Sequence, residues 1–473
     1  MLTLLLPEIL LAITITALLC RMLSRQSETE PRLFMAVAAC LLVAGAVVSV
    51  FFGPATLFYA SYRVDLLSQG FKVILAASLL FTVLASRDQF SIQANRLPEY
   101  YFFLLTGTLG MMMMTSAADL LTLYVSLELS SYSLYLLTAL RDERRTTEAS
   151  VKYVIIGAAV SGIMLWGLSL MAGVSGTFLL AGMAQNAPAL LAEPAFAAGL
   201  ALTLFAVLFK LSAFPVHAWA PDAYEAASTP VTAFLATASK AAAVAVMIRL
   251  LMLTGLTPGL TAAFGALAVA SMTLGNAAAL VQRDVKRLLA YSSVAQAGYL
   301  LVGLAAVSGE GFSSAFFYAL AYAVMNAGAF TVVLAVARAS ANDNPKLSDF
   351  DGLAERSPLL GLLLLVSLLS LAGIPPLAGF TGKWILFSAA MDKGRWLLVL
   401  WAVLNSVVSL FYYLTLVKHA YLEKPKTLAP VGASPRVRVL AIGLCVAIVL
   451  LGLFPNFFVT FAQQAVVSAA TPW

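Results

Sequence analysis

Charge is what this sequence has least of. Only 11% of its 473 residues are Asp, Glu, Lys or Arg, where soluble domains carry roughly 25%. Too few remain to coat a water-exposed globule. Cysteine is almost absent as well. Cys20, Cys40 and Cys445 stand alone in apolar runs, with no CxxC or Cys/His cluster, which excludes iron–sulfur and zinc centres. They read as inert, buried thiols. No GxGxxG or Walker loop is present, so no nucleotide site is visible. The positive surplus of +6 is spread over loops, and no nucleic-acid partner is expected. The first apolar segment lacks a basic flank and carries Glu8, so it is not read as a cleaved signal.

What is there is apolar surface. Hydrophobic residues make up 62% of the chain. Runs of roughly 17–25 apolar residues recur from end to end, each long enough to cross a bilayer core of roughly 30 Å. The pattern predicts an all-α membrane protein of about fourteen transmembrane helices. They are placed near 2–20, 33–53, 66–86, 100–116, 119–140, 149–173, 196–219, 230–252, 260–281, 288–306, 312–338, 358–390, 396–417 and 437–463. Between these spans the odd-numbered loops hold 19 Lys and Arg and the even-numbered loops hold 4. The positive-inside rule then puts the odd loops in the cytoplasm and both termini outside.

The five basic residues left over are Lys72, Lys152, Lys210, Lys240 and Lys383, and none is arginine. Glu128 is the one clearly mid-helix carboxylate, with Glu8 a borderline second. A charge at a helix centre costs about 2.5–3.5 kcal/mol on insertion scales, so a set of them points to function. Depth separates them. With Thr229 as N-cap and Pro230 at the first helical position, Lys240 lies roughly 15 Å in, near the bilayer midplane. With Asp119 as cap, Glu128 lies roughly 14 Å in. Lys210 is about as deep and precedes Pro215, which breaks the backbone ladder and frees carbonyls for water. Residues 358–390 would reach roughly 50 Å if straight, so the run Gly373-Ile374-Pro375-Pro376-Leu377-Ala378-Gly379 interrupts that span just before Lys383. Broken helices in both halves of a membrane chain mark ion pathways.

Blander readings stand beside these. Lys72 is expected to snorkel to the membrane surface, and for Lys152 snorkelling and function both stay open. His217 follows the break at Pro215, where a structural histidine and a possible proton-carrying one both stay open. Met111 to Met114 read as packing, and Asp142-Glu143-Arg144-Arg145 as a solvated turn. Tyr318, Tyr322 and Asn326, spaced by four, share a helix face and form a candidate lateral path from Lys240 to Lys383; plain packing stays open for them too. Lysine suits proton relay physically. Its ordinary pKa near 10.4 holds the proton too tightly, desolvation loosens it, and a nearby carboxylate tightens it again. Arginine cannot serve, because it does not deprotonate.

Three stretches carry a family resemblance. Lys210-Leu211-Ser212-Ala213-Phe214-Pro215-Val216-His217-Ala218-Trp219-Ala220-Pro221-Asp222-Ala223, followed by Thr229 to Lys240, resembles the signature of the antiporter-like subunits of respiratory complex I. So do Asp284-Val285-Lys286-Arg287-Leu288-Leu289-Ala290-Tyr291-Ser292-Ser293 and Gly373 through Lys383. Within that family the segment Phe234 to Lys240, and a lysine at Lys383, look most like the N-type subunits of NADH-quinone oxidoreductase. Related subunits of cation/proton antiporters and membrane-bound hydrogenases are the alternative.

The resemblance implies two inverted five-helix repeats with the seventh and twelfth helices broken. It implies N-terminal helices over 1–95, repeats over 96–256 and 257–422, and a last helix over 423–473. It implies a proton relay through Glu128, Lys152, Lys210, Lys240 and Lys383. It implies M-, K-, J- and A-type partner subunits in a cell inner membrane, and no cofactor in this chain, since NADH, FMN, iron–sulfur clusters and quinone bind elsewhere in such complexes.

Overall fold

The computed structural model describes residues 2–24, 31–87, 91–254, 258–425, 430–432 and 434–470. Three helices open the chain: α1 (Leu6–Leu23), α2 (Arg32–Ser49) and α3 (Leu66–Ser86). A short antiparallel hairpin, β1 (Ala55–Leu57) and β2 (Tyr62–Val64), joins the last two. Next come α4 (Leu97–Ser116), α5 (Leu120–Thr138), α6 (Arg144–Ser175) and two short helices, α7 (Leu180–Gln185) and α8 (Ala187–Ala192). Then α9 (Pro194–Leu211), α10 (Trp219–Ala226) and α11 (Thr229–Thr254) lead to the middle of the sequence. The second half runs through α12 (Pro258–Leu280), α13 (Val285–Leu304), α14 (Gly309–Ser340) and α15 (Leu353–Arg356). It ends with α16 (Pro358–Ala372), α17 (Ala378–Asp392), α18 (Trp396–Tyr421), α19 (Pro435–Leu453) and α20 (Asn456–Ala470).

Among the described residues, eleven helices are long and apolar enough to cross a membrane, and α16 is a shorter apolar one. The chain is thus an all-α membrane protein, and the β1–β2 hairpin is the one sheet among the described residues. The expected junction between repeats at 256/257 lies outside the described residues.

Short polar side chains start the helices where the sequence places them. Asp65 accepts from the Ser68 amide at 2.8 Å and its own amide donates back to Ser68 Oγ at 3.0 Å, a closed capping box on α3. Asp119 takes the Leu121 and Thr122 amides at 2.8 and 3.0 Å, and Asp284 takes the Arg287 amide at 2.9 Å. At the centre stands α11, its membrane-length stretch wholly buried and packed against α3, α4, α9 and α14. Its many alanines let these neighbours come close. Met111, Met112 and Met114 are fully buried, as packing residues.

Several expectations change. The last span is two helices, because Pro455 stops α19 at Leu453 and restarts the chain as α20. The seventh span ends at Leu211, several residues short of 219 and immediately after Lys210. Thr229 is itself the first residue of α11, and its hydroxyl donates to Asp343 Oδ1 at 2.5 Å. Cys20 and Cys40 are exposed on α1 and α2, since an apolar helix in lipid turns apolar residues outward as well as inward. Lys72 does not snorkel. It is fully buried, with its Nζ 2.6 Å from Glu8, because α2, α4, α11 and α20 pack around α3 and leave that side chain no route to the surface.

Candidate functional site

Glu128, Lys210, Lys240 and Lys383 are all buried, with 1–8% of their surface exposed. Glu128 stands eight residues into α5 and accepts a hydrogen bond from Ser161 Oγ of α6 at 2.5 Å. Lys210 occupies the last turn of α9 and donates to Ser130 Oγ at 2.6 Å and Ser131 Oγ at 3.1 Å, both on α5. Among the described residues no ion pair joins Glu128 to Lys210. Lys210 reaches α5 through Ser130 and Ser131, two and three residues from Glu128 along that helix.

The break after α9 supplies the next site. Ser212 turns the backbone into the left-handed region with φ 61°, and its amide and that of Ala213 close the last turn on Phe209 O and Leu208 O. The Trp219 indole donates to Phe209 O at 3.0 Å while stacking on Tyr153 at 4.3 Å. A helix end leaves carbonyls without partners and carries partial negative charge. Lys240 of α11 occupies that position, donating to Leu211 O at 2.9 Å and to Ser293 O of α13 at 3.1 Å.

The second break repeats the scheme. Gly373 ends α16 with φ 92°, a conformation that favours glycine. Lys383 of α17 donates to Leu371 O and Ala372 O, each at 3.0 Å, and to Ser406 Oγ of α18 at 2.9 Å. Its ammonium also lies 4.3 Å from the Tyr299 ring centroid. Gly379 lets α17 start against α16: a Cβ there would sit 1.7 Å from Ser370 O.

Between Lys240 and Lys383 the polar groups lie mostly on α13. The Tyr318 hydroxyl donates to Gln296 Oε1. Gln296 Nε2 in turn donates to Leu371 O at 3.0 Å, the carbonyl that Lys383 also uses, and to the Tyr413 hydroxyl at 3.3 Å. Ser293 lies three residues before Gln296, on the same face of α13, and its hydroxyl is 3.4 Å from that of Tyr224. Of the three α14 candidates, Tyr318 joins this network. The Tyr322 hydroxyl is buried without a direct partner, and Asn326 turns back onto its own helix, donating to Tyr322 O at 3.0 Å. Sequence reading found hydroxyls and an amide on α14 by their spacing but missed Ser293, Gln296 and Tyr413, because spacing along one helix does not tell which neutral groups of its neighbours face the break.

Two candidates stand apart. Lys152 is half-exposed and pairs with Glu148 at 2.8 Å and Asp222 at 3.5 Å. It lies nine residues before Ser161, about 14 Å along α6. His217 lies in the break after α9, where its Nδ1 is buried with no hydrogen-bond partner. Lys286, placed in a loop by the sequence, is instead fully buried. It donates to Ala227 O at 2.6 Å and to Asp343 O and Asn344 Oδ1 at 3.1 Å, because the loop after α14 folds over the start of α13. Arg141 reaches Ala226 O at 3.1 Å and Asn344 Oδ1 at 3.2 Å in the same cluster. Among the described residues no group of His, Cys, Asp and Glu is arranged to hold a metal ion.

Residues 117–409, which contain every lysine of the site, match the family described as NADH:quinone oxidoreductase/Mrp antiporter, transmembrane. A protein of Syntrophobacter fumaroxidans named NADH-quinone oxidoreductase subunit N 2 is 45% identical over 436 residues, covering 91% of this chain and 90% of that one. A chain of respiratory complex I from Thermus thermophilus, solved with bound aureothin, superposes with a TM-score of 0.84 at 32% identity, covering 97% of this chain and 99% of its own. A chain of the Mrp complex from Dietzia sp. shares the fold, with a TM-score of 0.88 at 22% identity over 100% of this chain and 98% of its own.

Proposed function

This chain belongs to the NADH:quinone oxidoreductase/Mrp antiporter family, and within it to the N-type subunits of NADH-quinone oxidoreductase, and from that premise we propose that its buried lysines carry protons across the membrane. It is a multi-pass inner-membrane protein and a membrane-arm subunit of a proton-translocating NADH:quinone oxidoreductase, a translocase whose redox chemistry lies in other subunits. The observation that carries the relay is the company the ammonium groups keep. Lys240 and Lys383 each rest on the free carbonyls of a broken helix, and Lys210 rests on two serines. Carbonyls and hydroxyls hold a cation yet leave no carboxylate to lock its proton. A lysine so placed gains and loses a proton as water or a distant carboxylate moves. Glu128, sharing α5 with the serines that hold Lys210, is that carboxylate.

In this reading a proton passes from Lys210 to Lys240, and from Lys240 to Lys383 along Ser293, Gln296 and Tyr318. His217 serves at the first break. Lys152, with Asp222 and Glu148, gathers protons at the charged mouth where α6 begins. The fourteen spans are completed by α4, α13 and the α16–α17 pair, which are more polar or shorter than the eleven long apolar helices. Helices α4 to α11 form the first repeat and α12 to α18 its inverted partner. The odd loops face the cytoplasm, both termini lie outside, and M-, K-, J- and A-type subunits flank the chain. The test is NADH-driven proton uptake by membrane vesicles that hold the assembled complex. Neutral replacements at Lys210, Lys240 and Lys383 should each lower protons moved per NADH. Unchanged ratios at all three would reduce these lysines to scaffold.

A further inference from the structure

The relay leaves one buried set of charges unused. It sits at the far end of α11 from Thr229 and draws on four elements. Glu8 comes from α1, Tyr62 and Arg63 from β2, Lys72 from α3 with Asp65 at its cap, and Arg249 from α11. Lys72 Nζ lies 2.6 Å from Glu8 Oε1, and the Tyr62 hydroxyl donates to the same oxygen at 2.6 Å. Asp65 meets Arg63 at 3.2 Å and Arg249 at 2.8 Å. Arg249 Nε donates to Thr115 O at 2.6 Å, at the end of α4. Three cations therefore face two carboxylates. Glu8 Oε2 and Ser116 Oγ are buried with no hydrogen-bond partner, and such atoms mark places where water is held. Arg249, Gln185 and Ser308 also line a cavity of about 500 Å³ that opens to the surface. Along α11, Lys240 lies nine residues from Arg249, about 14 Å, and eleven from Thr229, about 17 Å. The two charged clusters thus cap opposite ends of the helix that carries the central lysine.

Resting on the relay reading above, we propose that Glu8, Lys72 and Tyr62 form a second protonatable site, the group that releases protons at the Arg249 face. The Lys72 ammonium passes a proton to the Glu8 carboxylate 2.6 Å away, which leaves a neutral amine beside a neutral acid. The acid loses that proton to water in the cavity beside Arg249, a proton arriving along the relay re-forms the ammonium, and the ion pair is restored. One N–H and one O–H bond break and one of each forms, and no electron moves. The Tyr62 hydroxyl holds the same Glu8 oxygen that faces Lys72.

A purely structural ion pair at this place predicts something different. Lys72→Arg keeps the charge and the pair but cannot give up a proton. Glu8→Gln keeps an acceptor for Tyr62 but cannot take one. In vesicles carrying the assembled complex, both are expected to lower protons moved per NADH as much as Lys240→Ala does. Tyr62→Phe removes one hydroxyl and no charge, and is expected to lower the ratio in the same direction. If Lys240→Ala lowers the ratio while Lys72→Arg and Tyr62→Phe leave it unchanged, the pair is structural and the proposal is overturned, whether or not Glu8→Gln assembles. If Lys240→Ala itself leaves the ratio unchanged, the relay reading has failed first, and the release site goes with it.

Discussion

Replacing Lys240 by alanine and, separately, by arginine separates its structural role from its proton chemistry. Alanine removes the bonds to Leu211 O and Ser293 O, and hydrogen bonds from charged donors are worth about 1.5–3 kcal/mol each. Against that loss, the buried ammonium no longer has to be stripped of water, a cost of several kcal/mol. The two effects nearly offset, so the complex should still assemble. Proton flux should not survive. With no titratable group in the middle of α11, a charge crosses that stretch unassisted, at about 2.5–3.5 kcal/mol more. At about 1.4 kcal/mol per tenfold in rate, flux through this chain falls on the order of 100-fold. Arginine restores donors to both carbonyls but keeps its proton, so it should assemble at least as well as alanine and conduct no better. The assay is quenching of a pH-sensitive dye by vesicles oxidising NADH, normalised to assembled complex. A Lys240→Arg complex that pumps at the unaltered rate would refute the reasoning, because the carbonyl-bound cation would then be a strut.

Other consequences can be checked independently. Because Lys210 is held by Ser130 and Ser131, two and three residues from Glu128 on α5, Glu128→Ala and Lys210→Ala should show a coupling of about 0.5 kcal/mol or more in a double-mutant cycle on pumping, and strict additivity would mean independent action. Gly379→Ala forces a Cβ to within 1.7 Å of Ser370 O, so assembled complex and its thermal midpoint should drop, by more than about 1–3 kcal/mol if stability is measured directly; normal stability would mean the α16–α17 joint is looser than it looks. A thiol placed at Lys346 should resist labelling from outside, and one at Pro472, which lies outside the described residues, should be reached; the opposite pattern would invert the topology.

The backbone plan was largely legible because bilayer thickness, proline and basic loops leave few options. Pro215 and the Pro375-Pro376 pair announced both breaks. Pro455 announced a third that was passed over, since the apolar run continues through it. The lysines were legible as charge where charge is costly, and Glu128 likewise. Two kinds of fact were not. Which helices surround α3 cannot be read from its own sequence, so the burial of Lys72 against Glu8 stayed hidden. Neutral polar groups such as Ser293 and Gln296 carry no insertion penalty large enough to single them out, and their roles depend on which carbonyl a neighbouring break leaves free.

Thr229 and Arg249 fasten α11 at its two ends, one to Asp343 and the other to Asp65 and Thr115 O. Between those rivets the helix is enclosed by protein along its whole membrane length. It cannot slide by a turn of about 5.4 Å, as some switching elements do, without tearing both anchorages at once. Whatever alternates during turnover must therefore be small: a lysine swinging between carbonyls, a hydroxyl rotating, a file of water reorienting. Movements of that size run far faster than the μs–ms shifts of whole helices. The rod that bears the central lysine then serves as a stationary frame, against which lighter parts turn.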